Sequence, residues 1–142
     1  MALKVLKPHV SEEPAQRLRF RREAEITAAL DDPHIVPVYE TGEHEGFLYI
    51  AMKLLRGASL DQSSPLPPQE VAVIGSKIAR ALHAAHAVGI IHRDVKPANI
   101  FVEEGEPYLL DFGLARGRSH ETVTREGQVP GTLLYMAPEQ LR

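Results

Sequence analysis

Apolar residues recur along the chain in two rhythms, and the switches between them predict the elements. Met1 to Leu6 (Met-Ala-Leu-Lys-Val-Leu) is an apolar run interrupted only by Lys4, which predicts a short strand. Ser11 followed by Glu12 and Glu13 marks a helix start, with acids at the positive end of the helix dipole. That helix is expected to run to about Leu30, ahead of Asp31-Asp32-Pro33. On it, Phe20, Glu23, Thr27 and Leu30 are spaced by three and four and share one face. Glu23 is then a carboxylate on a partly apolar stripe and needs a partner; Arg19, one turn back, is within reach. Ile35 to Glu40 and Gly46 to Met52 predict two strands joined by the polar turn Thr41 to Glu45, the second almost wholly apolar and therefore central. Ser59 to Pro68 carries Ser63-Ser64-Pro65 and Pro67-Pro68, which disfavour helix. Pro67 or Pro68 then opens a long helix that Gly89 closes. Val71, Ile74, Ile78, Leu82 and Ala85 form its apolar stripe. Ile100-Phe101-Val102 and Tyr108-Leu109-Leu110 predict a hairpin across Glu103 to Pro107. From Ala115 to Val129 the chain is polar and without period, and is expected to be mobile.

Composition narrows the class without choosing a function. The 142 residues, 44% of them hydrophobic, suffice for one domain with a core and not for two. A net charge of −3 gives no electrostatic case for nucleic acid, so Arg17, Arg19, Arg21 and Arg22 are expected to be a solvated helix face. The chain has no cysteine, which excludes disulfides, thiolate metal sites and thiol nucleophiles. No apolar run approaches the ~20 residues that span a bilayer, and no signal peptide is visible, so a cytoplasmic location is expected. His83 and His86 share a helix face with His92 beyond, yet no acid or cysteine completes a zinc set.

The chemistry concentrates in His92-Arg93-Asp94-Val95-Lys96-Pro97-Ala98-Asn99. Asp111-Phe112-Gly113 follows twelve residues after Asn99, and Ala137-Pro138-Glu139 comes later. Taken singly, Asp94 and Asp111 are ordinary turn residues between apolar elements. The three motifs in this order resemble the catalytic loop, metal-binding loop and activation-segment end of protein kinases. Phe20-Arg21-Arg22-Glu23-Ala24 and the phrase from Gly89 to Ile100 are most similar to bacterial Ser/Thr kinases of the eukaryotic-like type.

That resemblance implies an α+β, two-lobed fold: a small β-lobe over residues 1–52, a hinge at 53–58, and part of a helical lobe over 59–142. It implies transfer of the γ-phosphate of ATP to a protein Ser or Thr, with ATP and Mg2+ as cofactors. Phosphoryl transfer has a loose transition state, so the protein mainly positions groups and neutralises charge. Asp94 would accept the hydroxyl proton and Lys96 would lie near the transferred phosphate. Asn99 and Asp111 would hold the metal, whose preference for hard oxygens leaves room for few protein ligands. Lys4 resembles the strand Lys that contacts the nucleotide phosphates, and its partner would be Glu23, or failing that Glu25. Met52 would lie behind the adenine, and the backbone of Lys53-Leu54-Leu55 would bind its edge. Phe112 is expected to pack under the helix that carries Glu23. Arg93 would pair with a phosphate on the activation segment, with Thr124 as the first and Thr122 as the second modified hydroxyl. Thr132 would line the substrate pocket, which fits a Ser/Thr kinase.

The sequence also departs from the pattern. An acid is common where Lys53 stands, and the short helix expected after the hinge is replaced by Ser59 to Pro68. The glycine-rich loop would precede Lys4, and further helices would follow Glu139. The chain is therefore expected to be a partial domain, unstable or poorly active alone. The competing class is a non-catalytic module that binds nucleotide or a protein partner. Substrate, upstream signal and oligomeric state are not legible.

Overall fold

A computed structural model describes residues 1–6, 14–112 and 134–141 of the chain. Its first layer is an antiparallel sheet with a helix packed on it. Strand β1 (Ala2–Val5) pairs with β3 (Phe47–Met52), which also pairs with β2 (Val38–His44), so β3 is central. The apolar run Phe47 to Met52 suits that place, with Leu48, Ile50 and Ala51 buried. Helix α1 is described over Pro14–Ala28; the start expected at Ser11 lies outside the described residues. It buries Phe20 and Ala24 against Leu48 and Ile50 of β3. Side chains alternate along β1, so Lys4 falls on the half-buried face with Ala2 while Leu3 and Val5 face out.

The turn of the β2–β3 hairpin is not Thr41 to Glu45. Strand β2 continues through Thr41-Gly42-Glu43-His44, and the reversal is made by Glu45 and Gly46. Both have positive φ, 48° and 83°, the conformation a two-residue turn needs to match strand twist. The polar residues of β2 are tolerated because this edge strand is mostly exposed.

The second layer is formed by β4 (Ala58–Ser59), β5 (Ile100–Glu103) and β6 (Glu106–Leu109), with helix α2 (Pro68–Ala87) against β6. Helix α2 starts on Pro68 and ends before Gly89 at φ +79°, as the two breakers require. Ile74, Ile78, Ala81 and Ala85 are its buried face. Val71, in the first turn of the helix, is half exposed and not part of that face. The stripe meets Ile35, Leu109 and Phe112 in one cluster. Each large aliphatic or aromatic side chain buried there contributes about 1.5–3 kcal/mol. Residues 34–37 belong with this layer: Ile35 bridges Leu109 in parallel, and the Leu109 N–H donates to the His34 carbonyl at 2.7 Å. The β5–β6 turn is again a pair with positive φ, Glu104 at 52° and Gly105 at 80°, shorter than Glu103 to Pro107. Among the described residues, no helix is long and apolar enough to cross a membrane.

Candidate active site

The β5–β6 hairpin brings the two halves of the site together. Asn99 ends a 3-10 turn, Pro97–Asn99, directly before β5, and Asp111 follows β6 by two residues. Ile100 pairs with Leu109, and the Leu110 N–H donates to the Asn99 carbonyl at 2.9 Å. Residues far apart in the chain are thereby held by one ladder.

Within the loop, Asp94 is the focus. Its Oδ2 accepts from Lys96 Nζ at 2.9 Å and from Asn99 Nδ2 at 3.0 Å. Asn99 Nδ2 also donates to the Asp94 carbonyl at 2.8 Å, so the amide braces both ends of that residue. Among the described residues this leaves Oδ1 of Asn99 and Oδ1 of Asp94 uncommitted. Lys4 Nζ reaches across to Asp111 Oδ1 at 2.8 Å, and Oδ2 of Asp111 is free among the described residues. Two carboxylates, two ammonium groups and an amide oxygen therefore line one region, with hard oxygens still available for a cation.

His92 fixes this loop from beneath. Burial pushes its imidazole below the usual pKa, against the pull of the Leu110 carbonyl. The neutral ring then donates from Nε2 to the Leu110 carbonyl at 2.8 Å and accepts the Asp94 N–H on Nδ1 at 3.3 Å. Both nitrogens are engaged, while His83 and His86 are exposed on α2. Phe112 stacks obliquely on His92, with centroids 4.8 Å apart. It lies wholly buried in the cluster around α2, which Leu30, just beyond the end of α1, also meets. Among the described residues, two non-glycine residues outside the hairpin turns have positive φ: Arg93 at 64° and Asp111 at 51°. Each costs about 1–3 kcal/mol and is held by its surroundings, a pattern that clusters at functional sites.

Met52 is half-buried at the end of β3 beside the Phe20 cluster, and Leu55 is half-buried in the connector. The Lys53 N–H donates to the Pro37 carbonyl at 2.9 Å. Among the described residues, the N–H and C=O of Leu55 take no hydrogen bond. Glu23 lies on α1 with its side chain outside the described residues, and Glu25 is exposed. Thr122, Thr124 and Thr132 also lie outside the described residues.

Two groups escaped the sequence reading. Arg17 and Arg21 do not simply face solvent: both donate to Glu43 Oε2, at 2.7 and 2.9 Å, and Arg17 also reaches the Gly46 carbonyl. These contacts seat α1 on the β2–β3 hairpin and hold the Glu43 carboxyl below its usual range, through the Arg17 hydrogen bond first. Glu103 is the second: it accepts from Lys53 Nζ at 2.7 Å and from the Arg56 N–H at 2.6 Å. The unusual Lys at position 53 was the available signal for an acid nearby.

A family model described as a protein kinase domain matches residues 1–142. The chain is 43% identical to the serine/threonine-protein kinase PknE of Mycobacterium tuberculosis, over 99% of this chain and 26% of that protein. It is likewise 43% identical to PknH of Mycobacterium bovis, over 99% of this chain and 24% of that protein. A crystal structure of the M. tuberculosis PknI kinase domain superposes with a TM-score of 0.67 and 40% identity, covering 79% of this chain and 47% of that one. The chain thus spans about a quarter of these curated relatives and about half of the solved kinase domain.

Proposed function

Since the chain belongs to the protein kinase family, we propose that it carries the phosphotransfer centre of a Ser/Thr protein kinase, with residues 1–52 as small lobe, 53–58 as hinge and 59–142 as part of the large lobe. The observation that carries this reading is the braced Asp94, whose carboxylate is held by Lys96 and Asn99 while Asp111 faces Lys4. The free oxygens of Asn99 and Asp111 suit Mg2+, which would neutralise charge on the phosphates of ATP.

The chain's own groups supply positioning. Lys96 and Asn99 fix one oxygen of Asp94, so the other is presented for the proton of an incoming Ser or Thr hydroxyl. Lys96 remains close enough to face the transferred group as a point charge. Lys4, presented on the inward face of β1, would exchange part of its contact with Asp111 for the nucleotide phosphates. The open backbone groups of Leu55 would take the adenine edge. The relatives' names as serine/threonine kinases support a protein hydroxyl as acceptor.

The test is transfer of labelled γ-phosphate from Mg-ATP to Ser/Thr peptides, with Asp94→Asn beside the unaltered chain. Weak transfer, which Asp94→Asn lowers by about a hundredfold or more with Mg-ATP binding kept, is the expected result for this partial domain. Binding of Mg-ATP without any transfer by the unaltered chain would instead favour a nucleotide-binding module.

A further inference from the structure

The connector between the two sheets is tied to the β5–β6 hairpin by more than its backbone. Lys53 Nζ contacts Glu103 Oε2 at 2.7 Å and the Tyr108 hydroxyl at 2.9 Å, and lies 4.2 Å from the centroid of the Tyr108 ring. Glu103 also accepts the Arg56 N–H, so one carboxylate grips the connector at two points, three residues apart. Its side chain is only 16% exposed, so loss of the ammonium would leave a largely covered carboxylate with fewer donors. Beyond Arg56, Gly57 passes so close to β5 that a Cβ there would overlap the Val102 carbonyl oxygen. Ala58 then pairs with Val102.

The strands gripped in this way are the ones that end in the metal-facing residues. Asn99 enters β5 and Asp111 leaves β6. A shift of the connector against the hairpin would change the distance between the backbone of residues 53–55 and those two oxygens. We propose, on the reading of this site as a Mg-nucleotide centre, that Lys53 is a positioning residue: with Glu103 and Tyr108 it clamps the base-binding connector to the metal-bearing hairpin. The clamp sets the span between base and metal subsites, so that adenine and metal-bound phosphates are engaged together.

The test compares two ligands, adenosine and Mg-ATP, by calorimetric titration of the full chain. Adenosine reads the base subsite alone. In Lys53→Met, adenosine affinity stays within about twofold while Mg-ATP affinity falls about fivefold, the lower end of typical coupling between sites. Lys53→Arg, which keeps charge and donors, restores most of the Mg-ATP affinity. Tyr108→Phe keeps the ring and removes only the hydroxyl, and gives a smaller loss in the same sense. Where Lys53→Met does not fold, Glu103→Gln and Tyr108→Phe carry the comparison. Equal weakening of both ligands, or of neither, overturns the clamp while the nucleotide site stands. An unaltered chain that binds neither ligand overturns the nucleotide reading itself, and the clamp's function with it.

Discussion

Phe112 is where stability and site geometry meet, so its removal should be felt in both. The ring is 0% exposed and packs with Ile35, Ile74, Ile78 and Leu109 as well as against His92. Phe112→Ala therefore leaves a cavity whose walls are α2, β6 and the His92 ring. Truncations of this kind cost about 3–5 kcal/mol, against a total of about 5–15 kcal/mol for an ordinary domain. A further loss falls on Asp111, which sits at φ 51° immediately before the ring and has that ring as its anchor. Phe112→Leu keeps most of the volume and should cost less than about 1.5 kcal/mol. Urea unfolding read by circular dichroism measures both costs, as midpoint shifts at constant slope. Repeating each with Mg-ATP reads the site: the ligand-induced gain should be lost in Phe112→Ala and kept in Phe112→Leu. A Phe112→Ala midpoint shift worth less than about 1 kcal/mol would refute the packing argument, and a full ligand response in that variant would refute the coupling to Asp111.

Other consequences concern charge and backbone. The carboxyls of Glu43, Glu103 and Glu106 are held below their usual range by hydrogen bonds, first from Arg17, Lys53 and Lys77 respectively. Such groups favour the folded state above the ordinary carboxyl pKa of about 4.3, and that contribution is lost as pH falls through the depressed values. Glu106→Gln should flatten the acid limb of a stability–pH curve, and added salt should do the same through the Glu43 and Glu106 pairs, whose carboxylates are exposed. His92 acts in the same direction at higher pH: its folded-state pKa is lowered, so the unfolded chain takes up the proton first and stability declines as pH drops below about 6.5. A melting temperature that is flat between pH 7 and 5 would contradict its burial as a neutral ring. Gly57→Ala should lower stability by about 1–3 kcal/mol, since the obstructing atom is the Val102 backbone oxygen and cannot rotate away. An unchanged urea midpoint would show that the connector is not pinned there.

The sequence made the local parts of this site legible and the tertiary parts less so. The Asp94 to Asn99 motif is six residues long, and its internal bonds follow from that spacing. The central place of β3 was readable from its unbroken apolar run, and α2 from proline and glycine at its two ends. The first hairpin turn was misplaced and the second drawn too long. The turn pairs are Glu-Gly rather than the usual Asn-Gly or Asp-Gly, and exposed strands with polar residues blur into the turns they flank. The packing of Phe112 against α2 was not legible because it depends on where a loop folds relative to a helix about thirty residues earlier. The Lys53–Glu103–Tyr108 contacts join residues 50 or more positions apart, and nothing local encodes their meeting.

Asn99, Asp111 and Lys4 together should form a working Mg-nucleotide site. Thermal unfolding of the chain with and without Mg-ATP, beside Asp111→Asn, tests this most directly. A ligand that binds only the folded state, present at 100 times its Kd, stabilises by about 2.7 kcal/mol. For a chain of this size that is a rise in Tm on the order of 10 °C. The prediction is one cooperative transition, raised by Mg-ATP in the unaltered chain and unmoved by it in Asp111→Asn. A transition that ignores Mg-ATP, or an equal rise in both proteins, would contradict the assignment of Asp111 to the metal.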